Sequence, residues 1–86
     1  MRELRWSFLK SDRLKRTRGV SFEEIIHARL VAVKEHPSRP HQRIMLFDYK
    51  GYIWVVPCVE QRDEIFLKTL YPSRQYTQRY RRGEVS

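Results

Sequence analysis

The chain contains little of what several protein classes depend on. Its 86 residues include one cysteine, Cys58, which excludes an intrachain disulfide and fits a reducing compartment. The three histidines, His27, His36 and His41, lack the paired spacing of a zinc site. The sequence therefore predicts neither a metal nor another cofactor.

Long hydrophobic runs are also missing. The longest apolar stretch, Ile53–Val59, is far shorter than the roughly 20 residues that a membrane-spanning helix needs. The amino terminus, Met-Arg-Glu-Leu-Arg-Trp, has no apolar core of a signal peptide. We therefore expect a cytoplasmic protein with no membrane partner. The length predicts a single domain over residues 1–86.

Acidic residues are scarce relative to basic ones. Eighteen Lys and Arg stand against ten Asp and Glu, which gives a formal net charge of +8. For a domain of this size, that bias favours an acidic partner such as RNA, DNA or an acidic protein. The alternative is a basic surface with no specific partner.

Two helices are predicted in the first third of the chain. Spaced apolar residues over Trp6–Arg18 indicate a helix that ends at Gly19, since glycine tolerates the positive φ of a helix terminus. A later start of this helix at Ser11-Asp12 is the alternative. Ser21-Phe-Glu-Glu24 is a capping box, in which Ser21 and Glu24 satisfy each other's backbone N–H groups. It predicts a second helix from about Ser21 to Arg29.

The rest of the chain is typical of strands and one last helix. Four β-prone runs are separated by polar or glycine-containing turns: Leu30–Lys34, Arg43–Tyr49, Tyr52–Val59 and Ile65–Tyr71. Lys50-Gly51 predicts a tight hairpin turn, and Ser73–Arg82 a final helix. The order predicts an α+β fold with two N-terminal helices, a four-stranded antiparallel sheet and a C-terminal helix.

The last predicted strand and its turn carry cations beside aromatic rings, which suits phosphates and bases. Arg74, at the strand-to-helix junction, is the predicted phosphate clamp, with an exposed helix-start arginine as the alternative. Lys68 is predicted in mid-strand on the face of Phe66 and Leu70, where its charge emerges into a cleft or snorkels outwards. Arg43 opens another strand and joins this cationic face, or is an ordinary strand-end charge.

Metal-free RNA cleavage needs a base for the 2′-OH, cations for the phosphate and an acid for the leaving 5′-oxygen. Glu60, at a strand end, is the carboxylate best placed to act as base, although a pair with Arg62 is the plainer interpretation. His41 is able to exchange protons near neutral pH, although a solvated loop histidine is the commoner case.

Further candidates would bind RNA without reacting. Tyr71 is the best stacking candidate, because it ends the strand beside the clamp. Tyr76 and Tyr80 lie four residues apart, which fits stacking but is more typical of a helix docked on a sheet. Arg13 and Arg16 belong to a cationic run that holds a phosphate backbone or pairs with an acidic protein.

Two segments carry a family resemblance. Trp6 and the run Arg18-Gly-Val-Ser-Phe-Glu-Glu-Ile25 resemble the start of BrnT-type bacterial toxins. The run Ile65-Phe-Leu-Lys-Thr-Leu-Tyr-Pro-Ser-Arg74, with Tyr80, is similar to their last strand and the small-residue–Arg turn after it.

The resemblance implies the RelE-type microbial ribonuclease fold and the toxin of a type II toxin–antitoxin system. Such a toxin cuts mRNA or ribosome-associated RNA and stops translation. Its antitoxin, often a ribbon-helix-helix protein, covers the basic site, and operator DNA is bound only through the complex. By position, the resemblance assigns Arg74 to the family's arginine after the last strand, and Lys68 and Arg43 to strands lining the cleft.

Two other functions stay open on the sequence. The same basic surface fits a module that binds RNA or DNA without cutting it. It equally fits an interaction domain that docks an acidic protein.

Overall fold

The computed structural model describes residues 2–84 and has an α+β fold. Its elements in chain order are β1 (Glu3–Arg5), α1 (Phe8–Arg18), α2 (Phe22–Ile25), β2 (Arg29–Glu35), β3 (Arg43–Tyr49), β4 (Tyr52–Gln61), β5 (Glu64–Leu67), β6 (Tyr71–Pro72) and α3 (Arg74–Arg81). The α+β class and the order of the helices are as predicted.

The sheet is mixed, with strand order β1-β5-β4-β3-β2, and β6 pairs with β4 beyond the end of β5. β2 to β5 form the predicted antiparallel meander. The prediction of four strands is corrected by β1, which pairs in parallel with β5 through Leu4 and Ile65. Three residues are too few to show a period-2 pattern, so β1 left no signal in the sequence.

The predicted ends of the helices are confirmed in part. The Ser7 hydroxyl accepts from Lys10 N at 3.2 Å to begin α1, and Gly19 ends it with φ 83°. The capping box of Ser21 and Glu24 is present. α2 ends at Ile25 rather than near Arg29, because Arg29 already pairs with Asp48 in the sheet.

The sheet buries side chains on both sides. One side, which we call the α1 face, packs against α1 and α2 through buried residues that include Phe47, Trp54, Val56 and Cys58. The other side, the α3 face, packs against Tyr76 and Tyr80 of α3 through Ile44, Leu46, Ile53 and Val55. Because the side chains of β4 alternate between the two faces, this strand contributes to both cores.

A buried threonine attaches α3 to the sheet. Thr77 Oγ1 accepts from Ile53 N at 2.8 Å and donates to Ser73 O at 2.6 Å. Ser73 N also donates to Ile53 O at 2.8 Å. These bonds place the start of α3, and hence Arg74, directly beside the end of β6.

A β-bulge separates β5 from β6. Leu67 pairs with Cys58 and Tyr71 pairs with Val55, so three residues on this edge oppose two on β4. Leu67 and Leu70 are consequently both buried in the α1-face core, at 1% and 0% exposure. Arg18 donates to the carbonyl oxygen of Leu70.

The bulge corrects the prediction of one continuous strand over Ile65–Tyr71. Lys68 N still donates to Pro57 O at 2.8 Å, so Lys68 keeps the alternation of Phe66. It does not share a face with Leu70, because the extra residue lies between them and turns Leu70 to the α1 face.

Replacing Thr77 with valine should destabilise the protein by about 1–3 kcal/mol, since the buried Ile53 N–H loses its acceptor while the side-chain volume is kept. Urea unfolding followed by circular dichroism measures the loss. Thr17→Val, at an exposed position of α1, is the matched control and should lower the free energy of unfolding by no more than about 0.5 kcal/mol. Equal losses in the two variants would show that the Thr77 bond is not what stabilises the docking of α3.

The capping region should make stability depend on acid pH. The hydrogen bond from Ser11 lowers the pKa of Glu23, and the hydrogen bond from Lys15 lowers the pKa of Glu24. Carboxyls whose pKa is depressed by folding stabilise the protein fully above their ordinary pKa of about 4.3, and this contribution disappears as the pH falls through the folded values.

Thermal unfolding between pH 6 and pH 3 should therefore show a falling midpoint below about pH 4.5. Glu24→Gln should flatten that fall, because an amide keeps the cap but not the charge beside Lys15. Asp12→Asn removes an exposed α1 carboxylate and should leave the curve unchanged. A curve of the same steepness in Glu24→Gln would contradict the assignment.

Candidate nucleic-acid interface

A cleft of about 310 Å³ opens at the bulge. Its floor is Pro57, which is buried on the α3 face of β4. One wall comes from the bulge, another from the loop between β2 and β3, and α1 contributes one side chain. The lining residues are Lys10, His36, Arg39, Gln42, Pro57, Lys68, Thr69 and Tyr71.

The cleft is cationic. Lys10, Arg39 and Lys68 all line it, and no carboxylate of residues 2–84 does. None of the three forms an ion pair with any residue in the 2–84 range. Their charges are therefore available to an anion, and a phosphate backbone is the anion that three spaced cations match.

His36 has a defined tautomer. Its Nδ1 accepts from the backbone N–H groups of Ser38 and Arg39, at 3.1 and 3.0 Å. Since Nδ1 is an acceptor, the proton of the neutral ring lies on Nε2. The backbone bond from His36 N to Gln42 O, 3.0 Å long, closes the base of the loop. The cleft therefore contains an Nε2–H donor on a held ring.

Sequence reasoning missed His36, Arg39 and Lys10 as site residues. It chose His41 from the same loop, because nothing in the pattern shows which loop side chains fold back over the sheet. One usable signal was that His36 directly follows a strand, where the backbone is best fixed. Lys10 is one of many cations on α1 and had no distinguishing signal.

Arg43, Glu60 and His41 meet in a second cluster, which lines a separate pocket with Glu35. Arg43 Nη1 lies 3.1 Å from Glu60 Oε1, and Arg43 Nε lies 3.8 Å from Glu35 Oε1. Glu60 also pairs with Arg2, not with Arg62 as the alternative interpretation had it. The predicted base is thus already neutralised by two arginines.

The two clusters lie on opposite sides of the sheet. Arg43 pairs with Cys58, and Glu60 pairs with Ile65, so both belong to the α1 face. Tyr71 pairs with Val55 and belongs to the α3 face. The expected single cationic face is therefore two sites: Arg43, Glu60 and His41 in one, Lys68 and Tyr71 in the other.

The remaining candidates lie outside both clusters. Arg74 is the first residue of α3 and is exposed, two residues after β6 ends. Tyr76 and Tyr80 pack against the α3-face core, which fits the docking interpretation of their spacing. Arg13 and Arg16 are exposed on α1, whose buried Ser11 and Leu14 face the other side of the sheet from Tyr71.

Neither metal-binding nor membrane-spanning features were found in the described part of the chain. Residues 2–84 contain no group of three or more His, Cys, Asp or Glu side chains placed to hold a metal ion. The helices within this range are too short and too polar to cross a bilayer.

Comparison of the chain with protein-family models, with curated proteins and with solved structures found no match. The toxin resemblance therefore stays a prediction from the sequence. The cleft has to be interpreted from its own chemistry.

The reactivity of the Cys58 thiol should show whether β5 stays paired with β4. Cys58 pairs with Leu67 beneath this edge, and burial raises the pKa of its thiol. Labelling by iodoacetamide at pH 7.5 should be slow in the native protein and fast in denaturant, because only an exposed thiolate reacts. Fast native labelling, measured by mass spectrometry, would show that β4 and β5 separate readily.

Proposed function

We propose that the chain is the toxin of a type II toxin–antitoxin pair, a metal-independent endoribonuclease that cuts RNA and blocks translation. Its cognate antitoxin, of the ribbon-helix-helix kind, is proposed to cover the basic surface and to carry the complex to operator DNA. The cytoplasm is its proposed site of action. We propose that its α+β fold is of the RelE type.

One observation carries the proposal: the same cleft is lined by a fixed histidine, an aromatic ring and three cations that have no ion-pair partner in the described part of the chain. Lys10, Arg39 and Lys68 supply positive charge where a phosphate acquires negative charge during cleavage. His36 Nε2–H is a donor for a phosphate oxygen, and Tyr71 offers a ring for a base. Arg74, the first residue of α3, adds an exposed cation after β6, outside the cleft.

The proposed reaction needs no metal. The 2′-oxygen of RNA attacks the adjacent phosphorus while the bond to the 5′-oxygen breaks, giving a 2′,3′-cyclic phosphate. A base takes the proton of the 2′-OH and an acid donates one to the leaving 5′-oxygen, while the cations stabilise the negative charge that develops on the phosphate. DNA lacks the 2′-OH and should not be cut.

A second function has a specific observation in its favour. The carboxylate best suited to act as base, Glu60, is paired with Arg2 and Arg43 on the other face of the sheet. Among residues 2–84, cations and rings line the cleft but no carboxylate does. Such a cleft is suited to binding RNA without cutting it. The alternative is therefore an RNA-binding module without catalysis.

Induced expression in a bacterial host should arrest growth and degrade RNA. Lys68→Ala and Arg74→Ala should each restore growth, because each removes a cation from the proposed phosphate-binding surface. In vitro, the purified protein should cut a single-stranded RNA in EDTA, and Lys68→Ala should lower the rate at least about tenfold, in line with the loss of one charge-stabilising donor.

Lys50→Asn is the matched control. It removes one cation from the β3–β4 hairpin, about 20 Å along β3 from Ile44, which pairs with Pro57 of the cleft, and asparagine tolerates the positive φ of 55° at this turn. It should remain toxic and active. RNA that is bound but uncut in EDTA would favour the binding module, and a wild-type chain that is harmless and leaves RNA intact would overturn the proposal.

A further inference from the structure

The α3 face carries an aromatic residue, Phe66, that the sequence pattern did not predict as a site residue and that does not line the cleft. Phe66 pairs with Val59, and Tyr71 pairs with Val55 on the same strand. Val59 and Val55 are four residues apart on β4, so both rings belong to one face. Phe66 is 37% exposed and Tyr71 39% exposed.

A lysine stands between the two rings. Lys68 N bonds to Pro57 O, which places Lys68 opposite the residue midway between Val55 and Val59. Four residues of strand span about 13 Å, so the order along β4 is ring, cation, ring at steps of about 6.6 Å. The two rings are therefore separated by about two nucleotide steps of an extended single strand, so they would stack on bases that have one nucleotide between them.

We infer that Phe66 and Tyr71 form a stacking platform for two bases of single-stranded RNA that have one nucleotide between them, with Lys68 on a phosphate of the intervening backbone. The inference rests on the proposed function only in requiring that the chain binds RNA. A sheet face with spaced exposed rings binds single strands because each base offers a flat surface, whereas a duplex hides its bases.

Charge argues for a nucleic acid on this face. Lys34 also belongs to it, because it pairs with Ile44, which in turn pairs with Pro57. Lys34 and Lys68 therefore stand at the two ends of one row across the sheet. Arg39 and Lys10 add charge from the walls of the adjoining cleft.

The platform has a definite end. Arg5 pairs with Phe66 in the sheet, but its guanidinium lies 3.3 Å from Glu3 Oε2 and 3.5 Å from Glu64 Oε1. These carboxylates would repel a further phosphate beyond Phe66. The face therefore accommodates two stacked bases and not a longer track.

The test uses the full chain and a short 2′-O-methyl RNA, which lacks the attacking hydroxyl and so stays intact while binding is measured by fluorescence anisotropy. Phe66→Ala should raise Kd about 5- to 100-fold, the usual effect of losing one stacked base. Phe66→Trp should bind as well as the wild type, whereas Phe66→Leu should not, because it keeps apolar area but has no ring.

Salt dependence separates stacking from charge. Phe66→Ala should leave the slope of log Kd against log salt unchanged, while Lys68→Ala should reduce it by about 0.7, the value for one phosphate of a single strand. Phe8→Ala removes an exposed phenylalanine, 72% exposed on α1, and should change neither Kd nor slope. Phe66→Ala should not change the Kd for a duplex of the same sequence.

The outcomes distinguish the platform from the proposed function. If the wild type cuts and binds RNA and Phe66→Ala binds equally well, the platform is wrong and the nuclease stands. If the wild type binds but never cuts, and Phe66→Ala weakens binding, the platform stands without the nuclease. A wild type that binds no single-stranded RNA overturns both. Urea unfolding of each variant confirms that it is folded.

Discussion

The structure depends on one extra residue in the edge beside β4. Leu67 and Leu70 both have to reach the α1-face core, while Phe66 and Tyr71 stay on the opposite face. Only a bulge satisfies both demands, because regular alternation would send Leu67 and Leu70 to different sides. The bulge exposes Lys68 and Thr69 at a cleft, and Arg18 satisfies the carbonyl of Leu70. Core packing thereby produces the site.

The same core decides which charges are usable. On the α1 face, the ends of the strands bring Arg43 and Glu60 within 3.1 Å, and paired ions of this kind do little beyond stabilising each other. On the α3 face, α3 packs against the cluster of Ile44, Leu46, Ile53 and Val55. Beyond this cluster, Lys34 and Lys68 form no ion pair within residues 2–84, and Phe66 and Tyr71 stay partly exposed, which is what a flat, anionic ligand requires.

Much of the fold was predictable because its signals are local. The capping box at Ser21, the glycine that ends α1 and the Lys50-Gly51 turn each act within four residues, and each is present. β1 and the bulge were not predictable. β1 is three residues long and pairs with a partner some 60 residues away, and a bulge depends on which of two leucines the core can accept.

The candidate site was likewise predictable from the sequence only in part. The sequence by itself determined that the chain is basic, that it forms an α+β fold, and that cations and tyrosines follow one another near its end. It also indicated Lys68 and Tyr71, which do meet in the cleft. Only the tertiary structure decided that Arg43 and Glu60 lie behind the sheet, and that His36 rather than His41 joins Lys68. The reason is that the sheet has two sides, and a linear pattern assigns a residue to one of them only while the strand alternates without interruption.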